Sequence, residues 1–194
     1  MGTVLKQKMS MLVGLLAAIA MAFVLTPVAA HATPTSPTDV ADSTVTINNL
    51  IDGDTVEAFL IADADIDASN NLTYTMAANL PSAYDSIDKI KVVASDGNSF
   101  HQGSDMQNAA SAIAKAFADA GTTAAASATA SGTSATLTLG SGYYLVRVTS
   151  TSGQTRVYQN MVVDASPVAN ASGTYDAHPA QTIDVKKTDV TIKK

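Results

Sequence analysis

The sequence predicts a mainly β fold, a β-sandwich with an inserted α-helical segment, and three observations predict it. Short alternations of apolar and polar residues recur from residue 43 onward, as in Thr44-Val45-Thr46-Ile47, the period-two pattern of half-buried strands. Turn chemistry punctuates them at Asp52-Gly53-Asp54 and at Ser152-Gly153. Between residues 104 and 121 the apolar spacing lengthens to that of a helix, so a helical insertion interrupts a chain of strands.

Taken in order, Lys6 and Lys8 precede an uncharged apolar run from Met9 to Leu25, followed by Thr26-Pro27-Val28-Ala29-Ala30-His31-Ala32. Small residues at Ala30 and Ala32 fit the narrow pocket of a signal peptidase. The competing reading is a membrane anchor, but the run is near the lower limit for spanning about 30 Å of hydrocarbon. Residues 1–32 are therefore read as a secretory signal cut between Ala32 and Thr33, with no membrane insertion afterwards. The remaining 162 residues keep nine cationic side chains against 17 acidic ones, a net charge of −8. Such a surface repels nucleic acid and anionic membranes, and no basic stripe offsets it. A chain of this length buries roughly 70% of its unfolded surface in one core, so one domain suffices. There is no cysteine and no tryptophan; Glu57 is the single glutamate, and His101 and His178 are the mature histidines. That inventory is poor in the side chains that usually catalyse, which argues against an enzyme.

Residues 33–42, opening Thr-Pro-Thr-Ser-Pro-Thr-Asp, read as a flexible spacer. A first strand is predicted over Ser43 to Leu50. At Asp52-Gly53-Asp54 glycine accepts a positive φ while aspartate bonds back to its own backbone. A second strand follows over Thr55 to about Ala62; Phe59, Leu60 and Ile61 are all apolar, so both faces are expected to be covered. A helix is predicted over about Ser82 to Val93. A clearer one follows Ser104, where Met106, Ala109, Ala110, Ile113, Phe117 and Ala120 form one stripe. Ser104 with Gln107 makes a capping pair, and Gly121 supplies the stop. Thr122 to Ser134 is low in complexity and reads as a surface connection. Three β-patterned runs occupy the stretch from Ala135 to Ala165. Tyr144, Val146 and Val148 share one face there, Tyr143, Arg147 and Thr149 the other, and Ser152-Gly153 is placed to turn a hairpin into Arg156 to Val163.

Candidate chemistry is sparse. Asp63, Asp65 and Asp67 alternate as calcium ligands do, but the places where an EF-hand needs Gly and Glu hold Ala68 and Tyr74. The alternative is the wet face of a strand end. His101 and His178 stand alone, without the spacing or cysteines of a zinc site, and Gly140-x-Gly142 leads into a strand, not a phosphate-binding helix. No cofactor is implied. Asn71-Leu72-Thr73 and Asn170-Ala171-Ser172 are formal glycosylation sequons. A sugar-stacking platform is poorly served by Tyr143 and Tyr144 on opposite faces. The last nine residues, Lys-Lys-Thr-Asp-Val-Thr-Ile-Lys-Lys, carry four lysines, whereas residues 33–185 hold only Lys89, Lys91, Lys115, Arg147 and Arg156 as cations. The terminal stretch is either a solvated basic tail or a linker running into a further strand.

Three passages carry a family resemblance: residues 45–61, residues 141–163 and the terminal Lys186 to Lys194. Together they resemble the N-terminal domain of Gram-positive, isopeptide-forming fimbrial (pilin) subunits, and the Gly-Tyr-Tyr-Leu-Val strand is also common in collagen-adhesin B-type modules. The resemblance covers residues 40–194 and implies an Ig-like module over 43–185, with 186–194 as linker and first strand of a following domain. In that family a lysine on the opening strand of a module bonds to an Asn or Asp on its last strand, with a buried acid polarising the amide. Lys193 or Lys194 matches that opening-strand lysine, for the domain to come. The first strand here has no lysine, so no internal cross-link is expected even though Glu57 is available as the acid. Shaft-forming subunits carry a Tyr-Pro-Lys-Asn-like motif whose lysine joins the next subunit. The comparable residues read His178-Pro179-Ala180-Gln181, with Ala180 in the lysine's place and Lys186 or Lys187 as substitutes. The resemblance implies a structural subunit or adhesin module displayed at the cell wall, with other fimbrial subunits, a sortase and a host surface ligand as partners. The alternative is a secreted module that binds host glycan or matrix protein.

Overall fold

In this computed structural model the described residues are 40–94, 103–151 and 156–189. The run read as a secretory signal with its expected cut between Ala32 and Thr33, residues 33–39 of the expected spacer, His101, the expected Ser152-Gly153 turn, and Lys193 and Lys194 lie outside them.

In chain order the strands are β1 (Ser43–Asn48), β2 (Thr55–Ile66), β3 (Leu72–Met76), β4 (Ala126–Thr129), β5 (Ser134–Leu139) and β6 (Gly142–Thr149). They continue as β7 (Arg156–Tyr158), β8 (Met161–Asp164), β9 (Val168–Ala169), β10 (Tyr175–Asp176), β11 (Gln181–Asp184) and β12 (Lys187–Asp189). Helices α1 (Ile87–Ala94) and α2 (Asp105–Asp119) lie between β3 and β4. The fold is a mainly β sandwich with a helical insertion.

One sheet has the order β11-β1-β5, with β1 parallel to β11 and antiparallel to β5. The other centres on β2, which pairs along one side with β6 and along the other with β4 at its start and β3 at its end. β8 lies beyond β6. Val45, Ile47, Leu137 and Leu139 of the first sheet pack against Val56, Tyr144, Val146 and Val163 of the second. The opposite face of the second sheet, through Phe59, Ile61, Tyr143, Leu145 and Val162, packs against Ile90 of α1 and Met106, Ala110, Ile113 and Phe117 of α2. The middle sheet is thus covered on both faces, and this is why Phe59-Leu60-Ile61 and Tyr143-Tyr144-Leu145-Val146 read as continuous apolar runs. The stripe on α2 buries as its spacing requires, and the Ser104 hydroxyl accepts from the Gln107 amide at 3.2 Å.

Several expectations need correction. The residues read as a surface connection contain β4, whose Ala126 and Ala128 pack against the inter-sheet core. Alternating alanine with Ser and Thr satisfies a half-buried strand, and small side chains hide the pattern. β2 runs four residues past Ala62, bending at a register shift between Leu60 and Ala62. Arg156 to Val163 is not one strand: β8 pairs with β6, whereas β7 leaves that sheet and pairs antiparallel with β12. The helix over Ser82 to Val93 divides into a single turn at Ser82–Tyr84 and α1. Lys187–Asp189, read as linker and onward strand, are hydrogen-bonded to this module through β7.

Candidate functional site

Lys186 and Lys187 are positioned by the turn between β1 and β2. Asn49 adopts φ 64° and Gly53 φ 85°, a tight reversal that tucks Asp54 completely out of solvent. Its carboxylate accepts from the Ile51 amide at 2.9 Å, the Thr151 amide at 3.0 Å, and the Tyr158 hydroxyl. Burial by itself pushes the Asp54 carboxyl up. The bonds from Tyr158, Thr151 and Ile51 outweigh it, so the group lies below the ordinary carboxylate range. Burial and the bond to Asp54 push the Tyr158 phenol up to about 12, so it stays a donor.

Tyr158 faces Lys187 across the β7–β12 ribbon, and the Gln159 amide donates to the Lys186 carbonyl at 3.0 Å. From the same turn, Asn49 donates its side-chain amide to the Val185 carbonyl at 2.7 Å, and its own carbonyl accepts from Lys187 Nζ at 3.1 Å. The result is a groove of about 860 Å³ whose walls include Gln107, Val157, Gln159, Lys186 and Lys187. Among the described residues no acidic side chain lines it, although the protein is acidic. Gln159 Nε2 is buried there without a hydrogen-bond partner among the described residues, and Val157 is 60% exposed. Two ammonium groups and an exposed apolar side chain suit an extended peptide carrying carbonyl and carboxylate oxygens. An unprotonated lysine amine is also a nucleophile toward an activated acyl group.

The other sequence candidates are dispersed. Asp63 is exposed and Asp65 half-exposed on one face of β2, and burial plus the charge of Asp65 hold the Asp63 carboxyl above its ordinary value. Asp67 instead bonds its own loop, accepting from the Ser69 and Asn71 amides at 2.8 Å each. Among the described residues no group of three or more His, Cys, Asp or Glu side chains is gathered as a metal would need. Both sequon asparagines serve turns: Asn71 donates to the Asp67 carboxylate, and Asn170 to Thr174 and Asp176. His178 Nδ1 lies 3.2 Å from Gln181 Nε2, and Ala180 is exposed between His178 and β11. Glu57 is engaged by Arg147 at 2.7 Å, Lys89 by Asp85 at 2.7 Å, and Lys91 stands 4.5 Å over the Tyr74 ring. Sequence reasoning missed Asn49, Asp54, Tyr158 and Gln159. The Asp-Gly-Asp turn was the one local signal for Asp54.

No family model matches the chain, and no curated protein matches it in sequence. Among solved structures it is similar to the T6 backbone pilin of serotype M6 Streptococcus pyogenes, a modular three-domain protein decorated with variable loops and extensions. The TM-score is 0.52 at 13% sequence identity, over 78% of this chain and 29% of that one. The fold is pilin-like. At 13% identity the likeness concerns the path of the backbone, and the chain spans under a third of that pilin's length. Among the described residues no helix is long and apolar enough to cross a membrane.

Proposed function

We propose that this chain is the N-terminal module of an exported fimbrial subunit, and that its role at the bacterial surface is structural, not enzymatic. The observation that carries the reading is the pilin-like fold over 78% of the chain. The lysine-bearing groove supports it by supplying what a joining reaction needs on the acceptor side: an amine in a defined place, beside donors for an incoming backbone. In the sortase-type chemistry that the resemblance implies, the unprotonated amine attacks the thioester carbonyl of an enzyme-bound neighbour. An amide forms and the enzyme's thiol is released. Lys187 is the better-placed candidate, because its bond to Asn49 O fixes where the amine stands until the acyl donor displaces it, whereas Lys186 is exposed with its carbonyl used by Gln159.

The test uses cells making the full-length protein. Wall extracts boiled in detergent and probed with antibody to residues 43–185 should show a ladder of covalent multimers. Peptide mapping should find Lys187 in the linkage, and Lys187→Arg should collapse the ladder. A single monomeric species from the native cells overturns the fimbrial reading.

A further inference from the structure

We propose that Tyr158 is the positioning residue for Lys187, and that the 49–54 turn holds the joining ribbon through it. The inference rests on the reading of Lys187 as the joining amine. Its basis is that one turn grips both strands of the ribbon. Asn49 holds the approach to β12 at the Val185 carbonyl and caps Lys187 Nζ, while Asp54 holds β7 through the Tyr158 hydroxyl. Among the described residues the ribbon pairs Lys187–Asp189 with Arg156–Tyr158, and it belongs to neither large sheet. A two-stranded ribbon outside a larger sheet is marginally stable at best in water, so its register depends on side-chain anchors. Tyr158 is 6% exposed and directly opposite Lys187, so movement of its ring moves the lysine's backbone. Asp54 has room for no other role: its oxygens are taken up by Tyr158, Thr151 and Ile51. Groups facing this carboxylate are the Tyr158 phenol, the Thr151 hydroxyl and amide, and the Ile51 amide, with Arg156 bearing on the phenol from the same strand.

The experiment reads local order at Lys187 without a partner. The mature chain is acetylated with limiting N-hydroxysuccinimidyl acetate, and Lys187 is quantified by peptide mass spectrometry against Lys115, which is 77% exposed on α2. Losing the anchor should free the amine from Asn49 O, so Tyr158→Phe and Asp54→Ala should raise the Lys187:Lys115 ratio about fivefold, as for loss of one hydrogen bond. Asp54→Asn can keep one oxygen for the phenol while its amide meets the Thr151 donors, so its ratio should rise clearly less than that of Asp54→Ala. A merely structural role would lower the melting temperature of all three and leave the ratio unmoved. An unchanged ratio in Tyr158→Phe, or an equal rise in Asp54→Asn and Asp54→Ala, overturns the proposal. If Tyr158→Phe does not fold, hydrogen exchange of the wild type decides. The Gln159 amide, bonded to Lys186, should exchange at the rate of the Thr151 amide, bonded to Asp54; exchange much faster than that overturns it. A ladder lacking Lys187 would sink the functional reading and leave the labelling result standing.

Discussion

Replacing Gly142 with alanine should be among the most damaging single-methyl changes this domain can suffer. Gly142 opens β6 at φ 149°, in a backbone region that L-residues rarely adopt. A Cβ there would stand 2.3 Å from the Ala62 carbonyl oxygen and 3.3 Å from Leu60 Cδ1. Ala62 cannot swing aside, because it sits at the register shift where β2 bends between its partners, and its neighbours are bonded to the same corner. Ala64 N donates to Ser141 O at 3.2 Å, and Ala165 N to Gly142 O at 2.7 Å. Backbone strain contributes about 1–3 kcal/mol, and forcing the strands apart a further ~1–3 kcal/mol. The sum, about 2–6 kcal/mol, is a large part of the roughly 5–15 kcal/mol that holds a domain folded. Gly132 provides the control: its φ is also positive, at 64°, but nothing lies within 4 Å of a Cβ there. Gly132→Ala should therefore cost only the left-handed penalty, about 1–2 kcal/mol. With no tryptophan in the chain, far-UV circular dichroism in urea is the suitable assay, at constant m-value. If Gly142→Ala costs no more than Gly132→Ala, the close approach of the β2 and β6 backbones has been misread.

Three further expectations follow from the same geometry. Phe117 is 1% exposed between α2 and Phe59, so Phe117→Ala should cost about 3–5 kcal/mol in urea unfolding; a loss under 1 kcal/mol would mean the helices do not seal the second sheet. Because the Asp54 carboxyl lies below its ordinary value when folded, its contribution is present above the unfolded carboxylate value near 3.9 and is lost as pH falls through the lower, folded value. Asp54→Asn should flatten that acid limb of the stability curve, and an unaltered limb would count against the buried carboxylate. The exposed pair Lys115–Asp119, joined at 2.6 Å, should be nearly silent, with Lys115→Ala changing stability by about 0.5 kcal/mol or less; a larger loss would show that α2 is marginal without it.

The proposed joining site divides into legible and illegible halves. Lys186 and Lys187 stood out as a cluster of charge in a chain otherwise poor in cations. Their anchors did not, because Tyr158 lies 104 residues from Asp54 and Val185 lies 136 from Asn49, and nothing local marks a tyrosine as the partner of a distant carboxylate. Likewise Asp63, Asp65 and Asp67 looked like a ligand run, yet the strand ends at Ile66 and turns Asp67 into its own loop.

Periodicity and turn chemistry are local, and they determined what depends on local forces: strands with one apolar face, the capped stripe of α2, and the glycine turn after β1. Pairing is not local. Whether Ala126–Thr129 became a strand, whether β7 stayed beside β6 or left for β12, and where Lys187 came to rest were decided by which edges and faces remained unsatisfied once the sandwich had closed. Backbone donors and apolar surface must find partners wherever the chain brings them, and only the assembled tertiary structure supplies that list of neighbours.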